Sequence, residues 1–170
     1  PPPPPPPPPP PHHTPPPPPP TPPHDRTRRQ RQDVYKRQPI EGEWLELGSG
    51  TGAGTRLLSG RVGSLVATDL SAEMLRHAPG ELAPRIHADA STLPFPTAAF
   101  DAVLMVNMLL FPSEVARVLR PSGVIVWVNT LGDQTPIHLP AHDVLSALPG
   151  DWNGRTARAG TGFWLTARRN

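Results

Sequence analysis

Glu43-Trp44-Leu45-Glu46-Leu47-Gly48-Ser49-Gly50-Thr51-Gly52-Ala53-Gly54 is the stretch that decides the fold of this chain. A short apolar run, broken by the single acid Glu46, passes straight into glycines at every second position, and Thr55-Arg56-Leu57-Leu58 follows as the start of a helix. Strand, glycine turn and helix form the opening of a nucleotide-binding α/β unit. Glycine reaches backbone angles closed to other residues and presents no side chain, so a ligand can lie against the main chain. A glycine run alone also describes a flexible turn, and the residues downstream must decide.

The next run, Ser64-Leu65-Val66-Ala67-Thr68, reads as a second strand and ends in Asp69, 21 residues after Gly48. An acid about 20 residues beyond the first glycine is the one expected to accept from both ribose hydroxyls. Asp69 could instead cap the helix that follows, but Ser71 is the better N-cap for Ala72-Glu73-Met74-Leu75-Arg76. Phe100 to Asn107 reads as a strand buried on both faces, as in a parallel sheet. Ser113 to Arg120 has helical spacing and is stopped by Pro121-Ser122-Gly123. Val124 to Val128 is the next strand, residues 141–148 a helix, and residues 151–159 and 162–169 two strands around a glycine-containing turn.

Composition separates two unlike segments. Residues 1–38 hold 19 of the 29 prolines and six basic residues against two acidic ones, so residues 39–170 are net acidic by two. That body offers no clustered basic face for nucleic acid. There is no cysteine, which excludes a disulfide framework, a thiol nucleophile and cysteine-ligated zinc. No apolar run approaches the ~20 residues that span a bilayer, and no charged-then-apolar leader is visible. The expectation is a soluble cytoplasmic protein with no membrane segment.

Proline lacks an amide donor and has a fixed φ, so residues 1–23 read as an extended polyproline II rod. Such a rod could bind SH3 or WW-type domains, or have no role. A third reading is favoured. Gln32-Asp33-Val34-Tyr35-Lys36-Arg37-Gln38 resembles a translated sequencing-adapter read, joined to the true reading frame near Pro39. Residues 1–38 are therefore set apart as a Pro-rich artefactual segment, and residues 39–170 are taken as the domain.

Gly48-x-Gly50-x-x-Ala53 also satisfies the loose dinucleotide pattern, so an NAD(P)-binding oxidoreductase domain is a competing reading. A non-catalytic Rossmann-like binding protein with a proline arm is a third. Three features favour another family. Glu46-Leu47-Gly48-Ser49-Gly50-Thr51-Gly52 closely resembles motif I of the class I S-adenosylmethionine-dependent methyltransferases. Asp69-Leu70-Ser71-Ala72-Glu73-Met74-Leu75 resembles the family's motif after the second strand. Ala88-Asp89-Ala90-Ser91-Thr92-Leu93-Pro94-Phe95-Pro96 and Phe100-Asp101-Ala102-Val103 resemble its third and fourth strand region. Glu114 to Gly123 resembles the helix and turn before strand 5, with Ser122 where the family usually has glycine. The resemblance covers residues 43–169 and is greatest to small-molecule methyltransferases of the ubiquinone-biosynthesis-like branch.

The resemblance implies an α/β, Rossmann-like, mostly parallel seven-stranded sheet with a C-terminal antiparallel hairpin. It implies S-adenosyl-L-methionine as cofactor, no metal, and a small-molecule acceptor that receives the methyl group on a nucleophilic atom. Protein partners are not indicated. Gly48, Ser49, Gly50 and Gly52 would shape the cradle for the methionine end. Glu46 would act on the ammonium group or the loop amides, or be only a buried acid that caps those amides. Asp69 would take the ribose. Leu70 would lie against the adenine or be a core leucine. Asp89 and Ala90 would meet the adenine edge, unless Asp89 only forms a turn before Ser91. Asn107 would face the ligand from the end of strand 4, or be only a helix cap or loop residue. His138, His142 and Asp143 lie where an acceptor's base could sit, although lone histidines are more often structural; no general base is assigned. Family members usually carry one or two helices before strand 1, so the chain is expected to be truncated at its N-terminus.

Overall fold

The computed structural model describes residues 1–3, 40–78 and 80–170. The chain divides into two units, Pro1–Lys36 and Arg37–Asn170, and the second holds all the helices and strands of the described residues. Apart from Pro1–Pro3, the reading of residues 1–38 as a separate segment lies outside the described residues.

The elements are β1 (Ile40–Leu47), α1 (Ala53–Leu58), β2 (Val62–Asp69), α2 (Ala72–His77), β3 (Arg85–His87), β4 (Phe100–Val106), α3 (Pro112–Val118), β5 (Leu119–Asn129), α4 (Ala141–Ala147), β6 (Trp152–Ala159) and β7 (Gly162–Arg169). A one-turn 3-10 helix, Gly132–Gln134, lies between β5 and α4. The strands form one sheet in the order β3-β2-β1-β4-β5-β7-β6. β1, β2, β3, β4 and β5 are parallel, and β7 is antiparallel to both β5 and β6. This is the seven-stranded, mostly parallel sheet with a terminal hairpin that the sequence led us to expect. A dinucleotide-binding domain has the order 3-2-1-4-5-6. The antiparallel β7 wedged between β5 and β6 departs from it.

Alternation along the strands sets the two faces. Leu45, Leu47, Val103, Met105, Ile125, Trp127 and Leu165 share one face and pack with Val115 and Val118 of α3 and Val144 of α4. Leu45 and Leu47 are fully buried, and each leucine of this kind contributes about 1.5–3 kcal/mol. On the other face Leu58 of α1 and Trp44 pack against Val62, Leu65 and Ala83. Farther along that face Val124, Val126, Trp164 and Thr166 are only half-buried. None of the helices among the described residues is long and apolar enough to cross a membrane.

Several boundaries differ from expectation. β1 starts at Ile40 rather than Glu43, through an irregular register with β2. α3 stops at Val118 instead of reaching Arg120, and Leu119 already has strand geometry (ψ 136°). Pro121 disfavours helical angles at Arg120, and Leu119 pairs with Phe100, so the sheet takes the last two residues of the apparent helix. β3, three residues long and bearing two basic groups, carries no apolar alternation to read.

Candidate functional site

β1 has β2 on one side and β4 on the other. At this change of direction the crossovers leave a crevice beyond the carboxyl ends of the strands, where α/β proteins bind ligands. A pocket of about 290 Å³ opens there, lined by Gly48, Thr68, Asp69, Leu70, Ala88, Asp89, Ala90, Asn107, Met108, Leu109, Phe111 and Ile137. That is near the small end of ligand pockets, about 300–1,000 Å³.

Of the glycine loop, Gly48 lines this pocket, while Ser49, Gly50 and Gly52 do not. Gly48, Gly50 and Gly52 turn through φ of 64°, 54° and 82°. At Gly48 this conformation strains any other residue, and a Cβ would lie 2.8 Å from Met108 Sδ, which would have to shift. Asp69 holds the loop. Gly50 N–H donates to Asp69 Oδ2 at 2.7 Å and Ser71 N–H to Asp69 Oδ1 at 2.8 Å. A carboxylate has about four acceptor positions, so these two bonds leave acceptor capacity. The cap of α2 falls to Ser71, whose Oγ accepts from Met74 N–H.

Leu70 is 67% exposed, so the reading of it as a core leucine is overturned. Its carbonyl is bonded to His87 Nε2 at 2.8 Å, which fixes the backbone below an uncovered apolar side chain. Asp89 does form the turn: Ser91 N–H donates to its Oδ1 at 2.8 Å. That bond to the Ser91 amide holds the carboxyl below its ordinary value, so it is an ionised acceptor at neutral pH, and it still lines the pocket.

Glu46 does not line the pocket. It is buried beneath the loop, where Thr55 Oγ1 donates to its Oε2 at 2.5 Å. Burial raises its pKa, against the lowering effect of the Thr55 bonds. A Cβ at Gly54 would collide with its Oε1, so helix and acid are packed as one unit. Ser49 is buried, and its hydroxyl has no partner among the described residues.

Asn107 lies just past β4 with φ 48°, a conformation asparagine tolerates better than most residues. It caps no helix. Its Nδ2 donates to Thr130 Oγ1 and its Oδ1 accepts from Thr130 N–H, both at 2.8 Å. The amide thus joins the ends of β4 and β5. Among the base candidates, His138 Nδ1 lies 3.2 Å from Asn129 Nδ2 and its Nε2 3.5 Å from Asp133, which secures the loop after β5. His142 is exposed beside Asp143. None of the three lines the pocket.

Sequence reasoning missed the apolar wall of Met108, Leu109, Phe111 and Ile137. All four lie in loops or at a helix cap, where no periodicity marks them.

The strand order, the glycine loop and the acids at the end of β2 and after β3 define the class as a Rossmann-like α/β domain similar to the class I S-adenosylmethionine-dependent methyltransferases. Residues 45–127 match the family model described as a methyltransferase domain. The chain is 37% identical over 101 residues to a demethylmenaquinone methyltransferase of Clavibacter sepedonicus, covering 52% of this chain and 41% of that one. The PH0226 protein of Pyrococcus horikoshii OT3 has the same fold, with a TM-score of 0.63 at 19% identity over 86% of this chain and 93% of that chain. A structure described as a DhpI-SAH complex matches with a TM-score of 0.61 at 22% identity, over 86% and 85% of the two chains. The chain spans about half or less of the curated relatives it matches.

Proposed function

We propose that this chain binds S-adenosyl-L-methionine in the pocket at the ends of β1, β2 and β4 and transfers its methyl group to a small apolar acceptor. The observation that carries this reading is that one pocket joins Asp69, Leu70, Asp89 and Ala90 to the apolar wall of Met108, Leu109, Phe111 and Ile137. The residues present suit the cofactor. Asp69 has acceptor capacity for the ribose hydroxyls, Leu70 offers an open apolar surface to the adenine, and ionised Asp89 can accept from its amino group. Gly48 and Gly50, half-buried, leave main chain accessible to the methionine end, while Ser49 and Gly52 are buried. Glu46 acts through the loop it supports.

When bound, the cofactor supplies an electrophilic methyl on a sulfonium. What the chain contributes is position: acids and main chain at one end, and an apolar wall at the other. The name of the Clavibacter relative suggests a demethylated quinone ring as acceptor, and the apolar wall is compatible with a flat ring of that type.

Calorimetric titration of the full chain with S-adenosylhomocysteine, and with NAD in parallel, tests the proposal. Binding of the homocysteine compound, lost in Asp69→Ala, is expected. Binding of NAD alone would overturn it.

A further inference from the structure

Asp89 and Ala90 belong to a segment, residues 88–96, that forms neither helix nor strand. Its near end is anchored by Ala88 N–H donating to Asp69 O at 3.1 Å and by the Asp89–Ser91 turn. Its far end is held by one ion pair on α3. Arg117 Nε and Nη2 donate to the two carboxylate oxygens of Glu114 at 2.7 and 2.8 Å. The same guanidinium donates from Nη1 to Phe95 O at 2.8 Å and from Nη2 to Leu93 O at 3.1 Å. Glu114 Oε2 in turn accepts from Leu93 N–H at 2.8 Å. Together the two side chains satisfy both polar backbone groups of Leu93 and the carbonyl of Phe95. Leu93 itself is buried, and Phe95 packs edge to face on Phe100.

The helix that holds this segment is also part of the pocket. Phe111 stands at the N-cap position of α3 and lines the same pocket as Asp89 and Ala90. An ordinary surface ion pair would be worth little. This one differs because its planar fork is spent on two backbone carbonyls as well as on the carboxylate, a geometry that lysine cannot reproduce.

We propose that Arg117, braced by Glu114, is a positioning residue that sets Asp89 and Ala90 relative to Phe111 and so fixes the adenine end of the pocket. This rests on the proposed cofactor reading for its ligand, but the latch itself is observable without one. The full chain would be compared with Arg117→Met, Arg117→Lys and Arg120→Met by amide hydrogen exchange and by titration with S-adenosylhomocysteine. Arg120 pairs with Asp101, so its variant controls for loss of a surface arginine.

In Arg117→Met the Ser91 and Leu93 amides are expected to exchange faster while the Gly50 amide keeps its protection, and affinity is expected to fall about tenfold. Arg117→Lys is expected to behave like Arg117→Met, and Arg120→Met like the native chain. Unchanged exchange at Ser91 and Leu93 overturns the latch, as does an equal rise at Gly50, which would mark general loosening. If the native chain fails to bind while Ser91 and Leu93 still respond selectively, the latch stands as a loop anchor and the cofactor assignment fails.

Discussion

Replacing Gly54 with alanine sets two physical effects against each other. Gly54 is the second residue of α1, and in an exposed helix alanine would stabilise the chain by about 1 kcal/mol through propensity. Here the added Cβ would fall well inside contact distance of Glu46 Oε1, 3.1 Å from its Cδ and 3.5 Å from Leu104 Cδ2. The carboxyl is the far end of a side chain, but it is not free to yield. It is buried and tied to the Thr55 hydroxyl. Crowding costs about 1–3 kcal/mol, and displacing the carboxyl leaves Thr55 unpaired at about 1–3 kcal/mol more. After the propensity gain, Gly54→Ala is expected to destabilise by roughly 2–3 kcal/mol. With a urea m-value near 1.5 kcal/mol/M, the unfolding midpoint falls by about 1.5–2 M. In a Glu46→Ala background the obstacle is gone, and the same glycine substitution is expected to cost little, a coupling of about 2 kcal/mol in a double-mutant cycle. A Gly54→Ala chain as stable as the native one, or additive costs in the cycle, would refute the packing of α1 on Glu46.

Two further outcomes are expected. Burial raises the folded pKa of Glu46 above 4.5, so its protonation stabilises the fold below the unfolded value, and that contribution is lost as pH rises through the folded value. Glu46→Gln keeps an acceptor for Thr55 and removes the titration; the native chain should therefore lose stability relative to it between pH about 4 and about 7. Urea midpoints of both chains at the two pH values measure this, and a constant difference would refute it. Leu70→Ser should change stability by less than about 0.5 kcal/mol, because the side chain is already exposed. It should weaken S-adenosylhomocysteine binding about five- to tenfold through lost apolar contact. Calorimetry with a thermal melt separates the two, and a loss of stability without loss of affinity would return Leu70 to the core.

Much of the fold was legible because periodic signals and turn chemistry coincide in it. The run from Glu43 through Gly54 announced β1, the loop and α1, and Asp69 followed at the spacing its loop contacts need. The end of α3 was not legible, since Leu119 and Arg120 continue a helical pattern locally and only pairing with β4 draws Leu119 into β5. Within the site, residue types pointed to Asp69 and Asp89, but the partners of Asn107 and Glu46 could not be read. Thr130 lies 23 residues from Asn107, and Thr55 meets Glu46 only because α1 folds back over β1. Leu70 showed no pattern separating an exposed leucine from a buried one.

The strand order has a consequence for how this chain behaves in company. A sheet is vulnerable where its outermost strands present unpaired backbone, because another chain can extend it there. One margin is β3, only three residues long and itself carrying Arg85 and His87, too brief to template a neighbour. The other is β6, which is longer but sets Arg155 and Arg158 along its exposed length. Arg158 is paired with Asp133, so the like charge that a second copy would bring to that margin is that of Arg155. Shortness at one side and like charge at the other turn strand-to-strand association away, while the apolar strands β1, β4 and β5 stay enclosed between neighbours.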